Sequence, residues 1–361
     1  MKILLVHPGA SWSTADVEIG LRAGLSALPG VSLIRYRLDD RIVRAGSWLH
    51  RTWRQLKKHN PDIPKPTVAD TVYHAGIGAL EMALRHQVDV VFVVSAMFMH
   101  PDVIVMMKRA GLRVVVLFTE TPYDLEKELV IARLVDGCWT NERTAVDTFL
   151  AVNAASGYLQ HAQNPDRHQE TVQPGDEEVP AHDVVFVGTG FADRVAWLNG
   201  MDWRGLDFGL YGSWKGVGLR PHVKACVRGE TTDNVMTARL YRRAKIGINL
   251  HRSLSGWGPQ APKLVYRAES LNPRAYELAA CGVFFVQDHR AESADVFGDL
   301  VPTVQTPQEA SQVLRQWLAD DAGRLSRAAQ LPACVAEHSW RNRAATVYAD
   351  LVSLVQGTRA A

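Results

Sequence analysis

Cysteine is scarce in this chain: four in 361 residues, at Cys138, Cys226, Cys281 and Cys334. No two stand as C-x-x-C, which excludes a zinc knuckle and a disulfide framework and leaves four reduced, buried side chains as the expectation. Long apolar runs are lacking as well. The longest, Val88 to Met99, is interrupted by Asp89 and Ser95 and is too short to span a bilayer. Only four apolar residues, Ile3 to Val6, separate Met1-Lys2 from His7-Pro8-Gly9, too few for the core of a secretory leader, so a cytoplasmic location is expected. Walker A, H-E-x-x-H and G-x-S-x-G sequences are all missing, which removes P-loop chemistry, zincin-type hydrolysis and the nucleophile elbow. Charge of one sign is not in excess: 40 Lys/Arg against 38 Asp/Glu give a net +2. Any basic or acidic partner must therefore be read from local distribution.

What is present is an ordinary globular composition, 47% hydrophobic and 22% charged, at a length that suits two domains with separate cores. Ile3–Val6, Val31–Tyr36, Val88–Val94 and Arg113–Phe118 are near-continuous apolar runs, the mark of parallel strands covered on both faces. Helical periodicity separates them, at Asp16–Leu28, Val68–Arg85 and Asp102–Ala110. This βαβ alternation predicts a doubly wound sheet.

The pattern stops at Gln160–His182, which holds three prolines and reads as a linker. It restarts with strands at Asp183–Val187, Leu206–Tyr211, Ile246–Leu250 and Val283–Gln287, alternating with helices at Phe191–Asn199, Val235–Ala244 and Pro273–Cys281. The expected architecture is α/β: two Rossmann-like doubly wound domains, 1–160 and 161–339, facing across a cleft. A last helix is expected from Trp340 to Gln356, within a tail of 340–361.

The segment richest in chemistry runs from Glu269 to Gly282. Asn272 is a good N-cap and Pro273 suits the first helical position; Gly282 stops the helix. The N-terminus of this helix offers free N–H groups and the positive end of a dipole, with Arg274 in the first turn, an arrangement suited to a diphosphate. Glu277, one turn on, could accept hydrogen bonds from ribose hydroxyls. Glu269 precedes it by eight positions, on the loop near where a donor sugar would sit.

These residues resemble the C-terminal half of GT-B glycosyltransferases, particularly the spore-maturation (CgeB-like) group. The matching residues are Ala244-Lys245-Ile246, Asn249-Leu250-His251, Asn272, Arg274, Glu277 and Ala280-Cys281-Gly282, with Val185–Gly190, His161–Pro165, Asp295–Gly298 and Glu337–Trp340 alongside. The likeness covers about residues 158–350; the first 150 match only in their βαβ pattern. It implies a GT-B fold with the last helix crossing back to the first domain. It further implies a nucleotide-sugar glycosyltransferase with the donor held by the second domain. The E-x7-E spacing resembles retaining enzymes, in which the donor diphosphate helps deprotonate the acceptor. No cofactor beyond the nucleotide sugar is implied. Arg274, Arg252 and Lys263 are the candidates to neutralise the diphosphate. No Asp-x-Asp occurs, so the metal–diphosphate motif of the other major glycosyltransferase fold is missing and no metal is expected.

Further candidates sit at strand ends, where open α/β sheets bind ligands. Gly188 and Gly190 of Val187-Gly188-Thr189-Gly190 face the site or merely make a tight turn; Arg194 follows. Gly212 and Ser213 end the next strand. His251 and Arg252 end another, followed by a glycine-rich stretch, Leu254–Pro262, that reads as a loop over the site. In the first domain Gly9 could admit a diphosphate or acceptor, and His100, Glu120 and Asp124 are base candidates if the reaction inverts. Arg35–Lys58 carries eight Lys/Arg against Asp39 and Asp40, with Tyr36, Trp48 and Trp53 interleaved. It reads as an amphipathic helix with Trp48, Leu49, Trp53 and Leu56 inward, or as a surface for an anionic acceptor, nucleic acid included. The alternatives to transfer are a nucleotide-sugar epimerase and a GT-B shell that binds nucleic acid or another anion without catalysis.

Overall fold

The computed structural model describes residues 1–9, 14–229, 233–253 and 267–357. The chain divides into two compact units, Met1–Leu159 with the residues from Arg341 onward, and Gln160–Trp340.

The first unit holds a six-stranded parallel sheet: β1 (Lys2–His7), β2 (Ser32–Arg37), β3 (Val90–Val94), β4 (Val114–Phe118), β5 (Gly137–Thr140) and β6 (Ser156–Tyr158), in the order β2-β1-β3-β4-β5-β6. β3 and β4 are buried along their whole length, as a sheet covered on both faces requires. The strand order reverses between β1 and β3, and the loops after those strands carry His7–Gly9 and Ser95–His100. The closing helix, Trp340–Gly357, buries Ala344, Val347, Leu351 and Val355 in this unit. Its contact with helix Ala15–Ser26 is close: a Cβ on Gly24 would stand 2.5 Å from that of Ala344. The Trp139 indole donates to Asp350 at 3.0 Å.

Helix Leu38–Lys57 departs from the amphipathic expectation. Trp53 is half-buried and donates to the Ile63 carbonyl, but Trp48 and Leu56 are exposed, at 55% and 47%. The helix lies against helix Val68–His86 with Gly46 beside Thr71 and the Trp48 ring edge-on to His74, so Leu49 and Trp53 are half-buried while Trp48 and Leu56 stay largely exposed.

The second unit repeats the architecture: β7 (His182–Thr189), β8 (Phe208–Ser213), β9 (Val227–Gly229), β10 (Ala244–Asn249), β11 (Phe285–Asp288) and β12 (Thr303–Val304), all parallel, ordered β12-β11-β10-β7-β8-β9. Strand alternation sorts the core into two layers. Val185 and Val187 point to one face with Tyr276, Leu278 and Ala279; Val184 and Phe186 point to the other with Trp203, Phe208 and Leu314. The order reverses between β7 and β10.

The stretch 160–182 is not a loose linker. Asp176 is buried and receives both Nε and a terminal nitrogen of buried Arg242, at 2.7 and 2.8 Å. His168 is buried too, its Nδ1 accepting the Asn164 N–H at 3.1 Å. Three prolines lowered the apolar periodicity of this stretch, but its polar side chains supply the anchors.

Candidate functional site

In a doubly wound sheet the place for a ligand is the crevice at the carboxyl ends of the two strands flanking the reversal. In the second unit those ends are Val187–Gly190 after β7 and Asn249–Arg252 after β10. Helix Pro273–Ala280 begins beside them. Asn272 caps it, its Oδ1 accepting the Ala275 N–H, while its Nδ2 donates to Asn249 Oδ1 at 2.9 Å. Asn249 passes the chain on, donating to Gln287 Oε1 at 3.0 Å; Gln287 in turn donates to Ser293 Oγ at 2.6 Å. Asn249, Gln287 and Ser293 are buried, so this satisfied amide ladder fixes the helix start against β10 and β11.

Arg274 is seated by the same ladder. Its Nε donates to the Val187 carbonyl at 3.0 Å. A terminal nitrogen donates to Asn249 Oδ1 at 3.2 Å and the Leu250 carbonyl at 3.4 Å. The guanidinium lies 4.8 Å from the Phe186 ring centre. Among the described residues no carboxylate forms an ion pair with it, so it brings an uncancelled positive charge to the strand reversal. Arg194 is buried and donates to the Leu250 and Thr189 carbonyls. Arg252 stands over the Phe191 ring at 4.6 Å. Three guanidinium groups therefore gather around two phenyl faces, with cation–π contact helping hold them in place.

His251 follows directly. Its backbone N–H and its Nδ1 both bond to Asp288 Oδ1, at 2.8 and 2.7 Å, and Arg290 pairs with the other Asp288 oxygen at 3.4 Å. Burial pulls the imidazole pKa down to about 4, although the Asp288 charge opposes it. The same pairing draws Asp288 to about 2 against the upward effect of its own burial. His251 Nε2 is buried with no hydrogen-bond partner among the described residues. Such an orphan acceptor costs ~1–3 kcal/mol in a folded protein.

Gly9, Gly188, Gly190 and Gly212, the glycines expected at the site, stand where protein atoms leave no room for a Cβ. On Gly188 it would lie 2.7 Å from an Arg274 nitrogen, and on Gly190 2.9 Å from the Trp214 ring. Gly212, with φ +111°, backs onto the Gly188 carbonyl, 2.1 Å from where a Cβ would be. These residues let β7 and β8 approach one another and Arg274 approach β7. Ser213 is exposed at the end of β8. Gly9, in the first unit, accommodates the Asp39 carboxylate in the same way.

Glu269 is partly exposed, pairs with Arg267 at 3.2 Å, and offers its carbonyl to the Glu292 N–H. Glu277 is half-buried on the helix, a carboxylate oxygen within 4.8 Å of a His168 ring nitrogen. His100 caps helix Pro101–Arg109, its Nδ1 accepting the Asp102 N–H. Glu120 contributes a backbone N–H to buried Glu128, and Asp124 pairs with Lys127. Lys263 and the stretch Leu254–Pro262 lie outside the described residues. Sequence reasoning missed Gln287, Asp288, Arg290 and Glu292. The signal was available in the polar run Gln287–Ser293 at the carboxyl end of a buried strand.

Two parallel doubly wound units of this kind make the GT-B fold. The chain resembles Anabaena HepE, solved in complex with UDP-glucose, at TM-score 0.61 and 11% identity over 99% of this chain and 100% of that one. It resembles α,α-trehalose 6-phosphate synthase from Burkholderia multivorans at TM-score 0.60 and 13% identity, over 99% of both chains. A glycosyltransferase from Rickettsia africae aligns at TM-score 0.59 and 12% identity, over 98% of both. Residues 192–349 match the family described as glycosyl transferase-like. Comparison with curated proteins gives no match. The chain thus has the GT-B fold, and its residues 192–349 are similar to a glycosyl transferase-like family; the narrower likeness to the spore-maturation group has no counterpart in these matches. No helix among the described residues is long and apolar enough to cross a membrane.

Proposed function

We propose that this protein transfers a glycosyl group from a nucleotide-diphosphate sugar bound at the strand reversal of the second unit. The observation that carries this reading is the Arg274 guanidinium, fixed by neutral acceptors beside a helix N-terminus and, among the described residues, lacking a carboxylate partner. A leaving diphosphate needs that kind of preorganised positive charge. Arg252 adds to it, Glu277 receives the ribose hydroxyls, and Glu269 stands toward the sugar. With retention, the bond from the anomeric carbon to the diphosphate breaks and the acceptor oxygen bonds to the same face. The acceptor proton passes to the departing diphosphate, which makes a protein base and a metal unnecessary.

An anionic acceptor is favoured by a recess of about 190 Å³ in the first unit, lined by Arg35, Tyr36, Arg37, Asp40, Arg41 and Arg44. Arg35 and Arg37 pair with Glu18 and Asp39, leaving Arg41 and Arg44 to meet a phosphate or carboxylate.

The test is a thermal-shift screen against UDP-, GDP- and ADP-glucose and the parent diphosphates, with and without EDTA. A ligand that binds only the folded state raises the melting temperature. One nucleotide series should stabilise the protein equally in both conditions, and Glu277→Ala should abolish the shift. A protein indifferent to every nucleotide would end this reading.

A further inference from the structure

Resting on the nucleotide-sugar reading, we propose that His251 Nε2 accepts a hydrogen bond from a hydroxyl of the bound nucleotide sugar, with Asp288 as the residue that positions it. Asp288 Oδ1 takes two bonds from one residue, the His251 backbone N–H and Nδ1, so the ring can neither rotate nor slide along the strand end. An ionised carboxylate only accepts; Nδ1 therefore carries the proton and Nε2 the lone pair. Arg290 locks the other end, pairing with Asp288 and donating to the Arg252 carbonyl at 3.2 Å, which straps the end of β11 to that of β10.

The contrast with His182 in the same unit is instructive. That ring is equally buried, but both its nitrogens are engaged, by Asp207 at 3.0 Å and the Tyr211 hydroxyl at 2.8 Å. His251 likewise has a carboxylate, Asp288, on Nδ1, but its Nε2 has no partner among the described residues. Its place at the strand reversal, beside Arg274, makes a ligand the missing partner. A lone pair repels phosphate oxygens and attracts a donor. The site thus divides its labour: the guanidinium meets the diphosphate and the imidazole meets an O–H. Burial, with Arg290 and Arg274 nearby, keeps the ring neutral at physiological pH, so it accepts rather than donates.

The experiment uses the full chain labelled with ¹⁵N-histidine, the His251 resonances being identified by their loss in His251→Phe. UDP-, GDP- and ADP-glucose, their nucleoside diphosphates and inorganic pyrophosphate are added in turn. The pyridine-type Nε2 signal should move upfield with the nucleotide sugar that stabilises the protein and stay still with pyrophosphate. Movement with the nucleoside diphosphate locates the hydroxyl on the ribose; movement with the sugar nucleotide alone locates it on the transferred sugar. His251→Phe should weaken that nucleotide sugar about tenfold, the worth of one hydrogen bond, and leave pyrophosphate affinity unchanged. A stabilising nucleotide that leaves the signal unmoved overturns this inference alone, as does equal loss of pyrophosphate binding in His251→Phe. Failure of every nucleotide to stabilise the protein removes the nucleotide-sugar reading and this inference with it.

Discussion

Mild acid should loosen the second unit while the first is little affected by the same groups. His168 is held with a pKa of about 3 by burial, with Arg167 and Arg242 adding to the effect, and His251 with one of about 4. Unfolded, each returns to 6.5. Both folded values lie below the unfolded one, so the unfolded chain binds more protons and stability decreases as the pH is lowered. Nothing is lost above pH 6.5. Below it, each histidine costs about 1.4 kcal/mol per pH unit until its folded pKa is reached. At pH 5 that is about 2 kcal/mol apiece, or about 4 kcal/mol together. For a unit of this size the melting temperature should drop by on the order of 10 °C between pH 7.5 and 5. His168→Gln, whose amide oxygen can take the Asn164 N–H, should halve the pH dependence without removing it. Calorimetry of wild type and variant at both pH values makes the comparison. A melting temperature that is flat from pH 7.5 to 5, or a variant with the wild-type slope, would refute the claim that these rings are folded neutral.

Two substitutions probe the scaffold. Gly212→Ala places a Cβ 2.1 Å from the Gly188 carbonyl at φ +111°, so urea melts should show a loss of at least ~3 kcal/mol; a near-neutral result would mean the β7–β8 loops yield easily. Arg242→Ala strands the Asp176 carboxylate in the interior and should cost ~3–5 kcal/mol, whereas replacing both partners by apolar residues should cost less; equal losses would argue that the pair stabilises in its own right.

Much of the scaffold was legible because parallel strands buried on both faces leave a plain signal. Val90–Val94 and Val184–Val187 are apolar end to end, and Asn272-Pro273 with Gly282 bracketed a helix within a residue of its observed bounds. Short edge strands were not legible: Ser156–Tyr158 and Val227–Gly229 are partly buried and carry polar residues, so no run marks them. The stretch 160–182 misled for another reason. Most of its buried residues are polar, Asn164, His168 and Asp176 among them, and polar anchors look like solvent-facing residues until their partners are known. Within the site, types and strand ends were readable, but pairing was not. Asp288 and His251 are 37 positions apart, and only the adjacency of β10 and β11 brings them together.

The closing helix has a consequence for biosynthesis. Ala344, Val347 and Leu351 follow the whole second unit in the chain, yet they complete the core of the first. Until then the groove beside Gly24 stays open and its apolar lining is wet. The first unit must wait through the synthesis of the whole second unit before it closes, an interval in which its exposed apolar surface is prone to aggregation. It also means that a single cut near residue 160 cannot yield an intact first unit.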